Sequence, residues 1–322
     1  PILAVLMGRE GLPEGRQDLQ EAGIPAYIFP ESAARALAAM NRYRGWLERP
    51  VEEPARFEAE ERAVGEILDR VQDEGRIQLT EPEAYEVLSA YGIPVVEHRT
   101  VPSPEEAAEA ARELGFPVVV KAISPQVIHK SEVGAVAVGL DSEEEVTTAA
   151  RRLSHRIRRE RPEAELRGYL VARCETGGRE TIVGMSTHPG FGPVLMFGLG
   201  GVYVEILGDV AFRIQPVSEV DAREMVGQVR AFPLLEGVRG EEGVDVDGLV
   251  EAIQRVSQLV GTFHRIEELE MNPFLARPEG GLALDARIRL GERPPKGESV
   301  GTGKGEEGGK PKEREPNDGP IR

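Results

Sequence analysis

Three helix starts written in one form govern how residues 77–145 can fold. Thr80 with Glu83, Ser103 with Glu106 and Ser142 with Glu145 each set a hydroxyl side chain three positions ahead of a glutamate. In such a box the hydroxyl accepts from the backbone N–H three residues on, and the carboxylate reaches back to the N–H of the cap. Pro104, at a first helical position, strengthens the second start, because its missing N–H would have no helical partner there. Gly92 stops the helix expected over 82–91, and Gly115 the next one. Short apolar runs at 95–98, 118–122 and 133–140 fall between and after these helices and read as strands.

Further along, strands are expected at 168–173, 180–186, 194–197 and 211–215, and helices at 219–229 and 246–265. Residues 268–275 and 282–288, separated by Pro278-Glu279-Gly280-Gly281, read as a hairpin. Mixed strands with helices on one face imply α+β lobes rather than a single doubly wound sheet. Residues 1–46 have a different rhythm. A strand at 2–7, a helix at 15–22 closed by Gly23, a strand at 26–29 and a helix at 31–46 make an α/β half-domain, too small to be stable by itself. Residues 47–76 read as a linker followed by an exposed helix over 55–73, and 77–290 as the main domain. The tail, 291–322, is rich in Gly and Pro and is expected to be disordered, because it has too few apolar groups to offset its ordering entropy.

The net charge of -17 argues against a nucleic-acid partner, which would draw on clustered Lys and Arg. The only cysteine is Cys174, which rules out an intramolecular disulfide and fits a cytoplasmic protein. No apolar run is long enough to span a bilayer, so no membrane partner is expected. The chain begins at Pro1, directly before an interior-type strand, and is expected to be truncated at its N-terminus.

Several groups can carry chemistry. Lys121 ends the run Val118-Val119-Val120-Lys121, where a β-strand can aim an ammonium into a cleft as a point charge for phosphate; an edge-strand surface lysine is the alternative. His129, in Val127-Ile128-His129-Lys130-Ser131, lies on a loop bracketed by Pro125 and Gly134. A neutral imidazole is a competent nucleophile toward phosphorus, and Lys130 can neutralise phosphate charge; a surface histidine is the bland alternative. Gly198, Gly200 and Gly201 follow a strand and allow close approach of a phosphate, although ordinary turns use such runs as well. Asn272 and Asp285 fall on opposite arms of the hairpin. An amide oxygen and a carboxylate are a typical small protein contribution to Mg²⁺, and Asp285 stands in an apolar stretch where a carboxylate needs a partner. Glu175, Glu180, Glu205, Asp209 and Arg213 fall at strand ends around the same cleft; Arg213 can grip a phosphate in bidentate fashion, and surface positions explain the acidic ones as well.

Taken in order, these segments resemble the NDP-forming acyl-CoA synthetase family, related to succinyl-CoA synthetase. The resemblance is carried by Leu79-Thr80-Glu81, Tyr91-Gly92-Ile93-Pro94, Gly115-Phe116-Pro117 running into Lys121, Ile128-His129-Lys130-Ser131-Glu132-Val133-Gly134, Gly198-Leu199-Gly200-Gly201, Phe212-Arg213-Ile214-Gln215-Pro216 and Glu270-Met271-Asn272-Pro273. It covers 77–290 and implies an ATP-grasp fold of two α+β lobes. Residues 1–46, through Gly23-Ile24-Pro25 and Phe29-Pro30-Glu31-Ser32, resemble the end of the family's flavodoxin-like CoA-ligase domain. The resemblance implies Mg²⁺ and ATP/ADP as cofactors, with CoA and acyl-CoA handled elsewhere. It makes His129 the phosphohistidine carrier, Lys121 a nucleotide-phosphate lysine, Asn272 and Asp285 the metal ligands, and Glu270 a group that orients the imidazole. The expected partner is a CoA-binding ligase domain or subunit, in an oligomer. Two other readings stay open: a non-catalytic synthetase-like module of a protein acetyltransferase system, and an ATP-grasp ligase joining a carboxylate to an amine, which needs no histidine.

Overall fold

The computed structural model describes residues 1–7, 13–49, 52–127, 134–200, 204, 208–238 and 240–292. The chain divides into two compact units, Pro1–Ala55 with Ser218–Val220, and Arg56–Val217 with the chain from Asp221 onward.

In the first unit β1 (Ala4–Val5) and β2 (Ala26–Tyr27) pair in parallel, with α1 (Pro13–Glu21) between them and α2 (Pro30–Leu47) after them. Pro30 opens α2, where a missing N–H costs nothing. Parallel strands normally have both faces covered. Here Leu37, Met40, Tyr43 and Trp46 of α2 remain exposed, and Ala33 is its one buried residue.

The second unit begins with α3 (Glu61–Asp73) and α4 (Glu81–Ala90). The helix expected from residue 55 starts only at Glu61. Ahead of it the Phe57 backbone is held outside the helix, its N–H donating to the Gln258 side chain at 2.8 Å and its carbonyl accepting from it at 2.9 Å. The box at Thr80 forms as expected: the Thr80 N–H donates to Glu83 at 2.7 Å.

A small lobe follows: β3 (His98–Val101), α5 (Pro104–Leu114), β4 (Val118–Ile123), β5 (Val136–Leu140), α6 (Glu143–Glu160) and β6 (Gly168–Arg173). Its sheet has the antiparallel order β3-β6-β4-β5. Ser103 and Ser142 cap α5 and α6 through the N–H groups of Glu106 and Glu145. Val146, Ala150, Leu153 and Ile157 line one stripe of α6 and pack with Val118, Val120 and Val171. The strand expected at 95–98 begins instead at His98, because the chain at 94–96 is tied to the other lobe: Val96 N–H donates to Ala283 O at 3.0 Å, and Ala283 N–H to Pro94 O at 2.9 Å.

The large lobe holds β7 (Arg179–His188), β8 (Gly192–Leu199), β9 (Val210–Ile214), α7 (Glu219–Gln228), a short 3-10 turn (Phe232–Leu234), α8 (Val246–Thr262), β10 (Ile266–Arg277), β11 (Gly280–Ala283) and β12 (Ala286–Leu290). Its antiparallel sheet runs β11-β10-β7-β8-β9, with β12 also paired to β10. One face carries Val183, Leu195, Phe197, Leu269, Met271 and Ile288 into a core with Leu68, Leu88, Ile253 and Val256 of the helices. Two α+β lobes, each an antiparallel sheet with its own helices, are what the sequence pattern predicts. The tail expected over 291–322 lies outside the described residues from 293 onward.

Candidate functional site

Alternation along β4 decides where Lys121 goes. Val118, Val120 and Ala122 face the small-lobe helices, so Lys121 and Ile123 point the other way, toward the large lobe. The Lys121 side chain is 8% exposed. Its Nζ donates to Glu81 Oε1 at 2.5 Å and to the Leu284 carbonyl at 2.9 Å, and lies 3.7 Å from Asp285 Oδ2. Burial disfavours the ammonium, but the carboxylates of Glu81 and Asp285 outweigh it and hold the pKa above the usual lysine value. A lysine expected to aim its ammonium into a cleft is thus a buried cation between the two lobes.

Glu81 is the first residue of α4, and Tyr85 sits one turn later, on the same face. The Tyr85 hydroxyl is 2.7 Å from Glu81 Oε1 and 2.7 Å from the Leu284 carbonyl. Burial first, and then the Glu81 charge, push its pKa well above that of a free phenol, so it remains a donor. Sequence reasoning missed Glu81 and Tyr85 as site residues. Their signal was present: a second acidic residue in the first turn that the cap does not need, followed by Tyr at the i+4 position.

Asn272 and Asp285 meet where the β10 ladder breaks. Pairing slips between Met271 and Phe274, around Pro273, which has no N–H to give. Across this bulge Asn272 N–H donates to the Asp285 carbonyl at 3.2 Å, and Leu284 N–H to the Pro273 carbonyl at 3.0 Å. The Asn272 amide nitrogen donates to Glu270 Oε1 at 3.0 Å. Since a carboxylate can only accept, this contact fixes the amide so that Oδ1 remains available to a cation. Asp285 is 27% exposed and lines a pocket with Thr80, Glu81, Ser124, Val127 and Arg287. A hard cation such as Mg²⁺ suits one amide oxygen and one carboxylate, with phosphates and water completing the shell.

Other expected residues lie elsewhere. Glu175 pairs with Arg277 at 2.8 Å. Glu180 and Gly200 line a separate cleft of about 570 Å³ with Leu199, Leu234 and the Arg179–Glu241 ion pair. Arg213 alternates with the exposed Phe212 and Ile214; it donates to Gln228 at 2.9 Å and lies 3.5 Å from Glu224, and no described contact joins it to Lys121 or Asp285. Asp209 accepts from the N–H groups of Arg230 and Ala231 at 2.8 and 2.9 Å. The glycines make room for protein: a Cβ on Gly198 would lie 2.9 Å from the Asp209 carbonyl, and one on Gly200 would lie 3.2 Å from that of Glu180. His129, Lys130, Gly201 and Glu205 lie outside the described residues.

The two antiparallel lobes are matched by a family model, described as an ATP-grasp domain, over residues 70–290. The fold binds ATP or ADP. The chain is 43% identical to the beta subunit of ADP-forming acetate–CoA ligase I of Pyrococcus furiosus, over 70% of its own length and 97% of the relative's. It is 40% identical to the ADP-forming 4-hydroxybutyrate–CoA ligase of Nitrosopumilus maritimus, over 90% of its length and 42% of the relative's. A solved acetyl-coenzyme A synthetase 1 of Candidatus Korarchaeum cryptofilum superposes with a TM-score of 0.62 at 43% identity, over 71% of this chain and all of that one. That structure is described as holding coenzyme A and Mg-AMPPCP, with its phosphohistidine segment pointing towards the nucleotide binding site. The chain belongs to the ADP-forming acyl-CoA ligase family, as its ATP-grasp part. It spans less than half the length of the Nitrosopumilus relative. No helix among the described residues is long and apolar enough to cross a membrane.

Proposed function

We propose that the chain is the nucleotide-handling part of an ADP-forming acyl-CoA synthetase, moving a phosphoryl group between ATP and His129. The observation that carries this is the pocket at the lobe junction. Val127, two residues before His129, lines the same pocket as Asp285. His129 itself lies outside the described residues, and its part is read from its sequence position after Val127.

In the direction from ATP, an imidazole nitrogen of His129 supplies the electron pair for a new N–P bond. The bond between the γ-phosphorus and the bridging oxygen breaks, and ADP departs; the reverse step makes ATP. Asn272 and Asp285 would hold Mg²⁺, which when bound supplies positive charge to the phosphates. Lys121 places a fixed ammonium at the same junction. Glu270, bound to the Asn272 amide, orients that ligand, and the further role assigned to it is to orient the imidazole. Lys130, beside His129, offsets phosphate charge. Glu175, Glu180, Gly198, Gly200 and Arg213, expected to contact the nucleotide, have no described contact with Lys121 or Asp285 and are given no part in the transfer step.

The phosphoimidazole then needs a second station, where the phosphate is exchanged with an acyl group. A CoA-binding ligase domain or subunit would provide it, in an oligomer in the cytoplasm. Residues 1–46 fit the end of such a domain: a parallel strand pair with a helix whose apolar side is open. Incubation with Mg²⁺ and γ-labelled ATP tests the reading. Acid-labile, base-stable phosphate on the chain is expected, and none on the His129→Ala variant. Equal labelling of both would overturn the assignment of His129.

A further inference from the structure

Residues 151–161 read Arg-Arg-Leu-Ser-His-Arg-Ile-Arg-Arg-Glu-Arg, six arginines in eleven positions of a chain whose net charge is -17. They form the last turns of α6 and its C-cap. Leu153 and Ile157 are buried there, and all six arginines and His155 are exposed. A helix C-terminus favours cations, which accounts for Arg158 and Arg159, but that field fades within the last turn and does not reach Arg152 or Arg156. Arg152 and Arg156 stand one turn apart, where like charges repel. Elsewhere in the second unit carboxylates meet the arginines: Arg76 has Glu83, Arg255 has Glu251 and Arg265 has Asp69. On α6, Arg151 pairs with Glu105 and Arg159 with Glu160, whereas Arg152, Arg156, Arg158 and Arg161 form no ion pair among the described residues. The patch also adjoins the segment that bears His129. Arg156 Nη1 donates to the Gly134 carbonyl at 3.3 Å, and the Glu165 N–H, in the loop after α6, donates to the Gln126 side chain at 3.0 Å. Gln126 and Gly134 stand before and after that segment, so both of its roots are tied to the basic end of α6.

We propose that the basic end of α6 is a docking surface for an acidic face of the CoA-ligase domain or subunit that exchanges the phosphoryl group with His129, an inference that rests on the function proposed above. From Arg152 to Arg161 the patch runs over about 14 Å of helix. Small-molecule sites are concave, whereas this is the outer face of a helix, and neither pocket described above is lined by these arginines. A long polyanion or an anionic membrane would also meet the surplus carboxylates of the rest of the chain, which repel it. A folded partner with an acidic face of matching size meets the arginines alone. Guanidinium groups grip carboxylates in bidentate fashion, and complementary charge steers the encounter and fixes its register. Docked there, the partner stands beside the roots of the segment whose phosphate it is to exchange.

The probe is the part of the Nitrosopumilus ligase outside the stretch that this chain matches, prepared as a separate protein. Its association with the full chain is followed by biolayer interferometry at about 0.01 M and 0.15 M ionic strength, where charges act over about 30 and 8 Å. The association rate of the wild type is expected to fall about tenfold from low to high salt. In the double variant Arg152→Glu with Arg158→Glu, the low-salt dissociation constant should rise at least about tenfold and the salt dependence should shrink. Arg152→Gln with Arg158→Gln, milder toward the helix, should give a rise of about threefold and serves if the Glu variant does not fold. Unchanged affinity in the variants, or no association of the wild type, overturns the proposal. Binding of phosphatidylglycerol vesicles or of a single-stranded RNA as tight as that of the probe overturns it too, since the patch would then be a general polyanion site. Labelling of the wild type by γ-labelled ATP without the probe keeps the two ideas apart. An unlabelled chain that still docks through the arginines sinks the phosphoryl-transfer reading alone, and a labelled chain whose docking ignores them sinks the docking surface alone.

Discussion

Asn272 and Asp285 are neighbours across the bulge of β10, joined through the Asn272 N–H and the Asp285 carbonyl at 3.2 Å. This backbone link fixes the spacing of their side chains whether or not a cation is present. Replacing Asp285 with Ala removes one charge and leaves that link intact. The fold should hold, and calorimetry should find Mg-ADP affinity reduced roughly 100- to 1,000-fold, the scale of one charge pair of about 4 kcal/mol near a protein surface. Unchanged Mg-ADP binding would refute the metal assignment.

Glu270 should matter through Asn272. Its carboxylate holds the amide nitrogen at 3.0 Å and thereby turns Oδ1 outward. In Glu270→Ala the amide is free to rotate. Groups that orient a metal ligand typically cost 10- to 100-fold in affinity when removed, so Mg-ADP binding is expected to weaken by about tenfold. The measurement is the same titration, with thermal unfolding as the control for folding.

Gly198 separates two readings of the glycine run. In the structure its missing Cβ admits the Asp209 carbonyl, which would lie 2.9 Å from that atom. Gly198→Ala should therefore lose about 1–3 kcal/mol of stability through overpacking. Nucleotide affinity measured well below the melting temperature should stay unchanged. The opposite result, weakened ADP binding at full stability, would return this glycine to the phosphate site.

The sequence made the lobes legible because local signals agreed with the tertiary arrangement. Each hydroxyl–glutamate box opens a helix, and the stripe Val146, Ala150, Leu153 and Ile157 packs where its periodicity points. The hairpin that unites Asn272 with Asp285 was readable from the turn residues at 278–281. Elements set by distant contacts were not readable. Residues 55–60 could have continued a helix, but Gln258, about two hundred positions away, takes the Phe57 N–H. The strand expected at 95–98 starts only at His98, because Val95 forms an isolated bridge with the distant Ala283. At the site, Lys121 was found by its strand, whereas its pairing with Glu81 depends on how two lobes meet, which no local pattern contains. Arg213 lies on the face of its strand opposite the exposed Phe212 and Ile214, where Gln228 meets it, a partner that only the packing of the following helix supplies.

Arg76 and Glu83 tie the loop before α4 to its first turn and give the large lobe a pH dependence. Both side chains are 12% exposed, and Arg76 donates to Glu83 through two nitrogens, at 3.0 and 2.7 Å. Burial raises the Glu83 pKa, but Arg76 and the Thr80 N–H and hydroxyl outweigh it, and the folded value falls below the ordinary one. A carboxyl depressed in this way binds its proton more readily in the unfolded chain. Its contribution to stability is therefore complete above the unfolded value, about pH 4 to 4.5, and is lost as pH falls through the lower folded value. Glu83→Gln leaves Arg76 with Glu74 as its remaining carboxylate partner, at 2.8 Å. Urea unfolding at pH 7 should show a loss of about 2–3 kcal/mol, somewhat below the usual cost of breaking a buried pair because Glu74 remains. The gap between wild type and variant should narrow as pH drops below about 4, since protonated Glu83 then resembles the amide that replaces it. A gap that stayed constant between pH 7 and pH 3 would mean that the stabilisation comes from packing and capping, with no part for the charge.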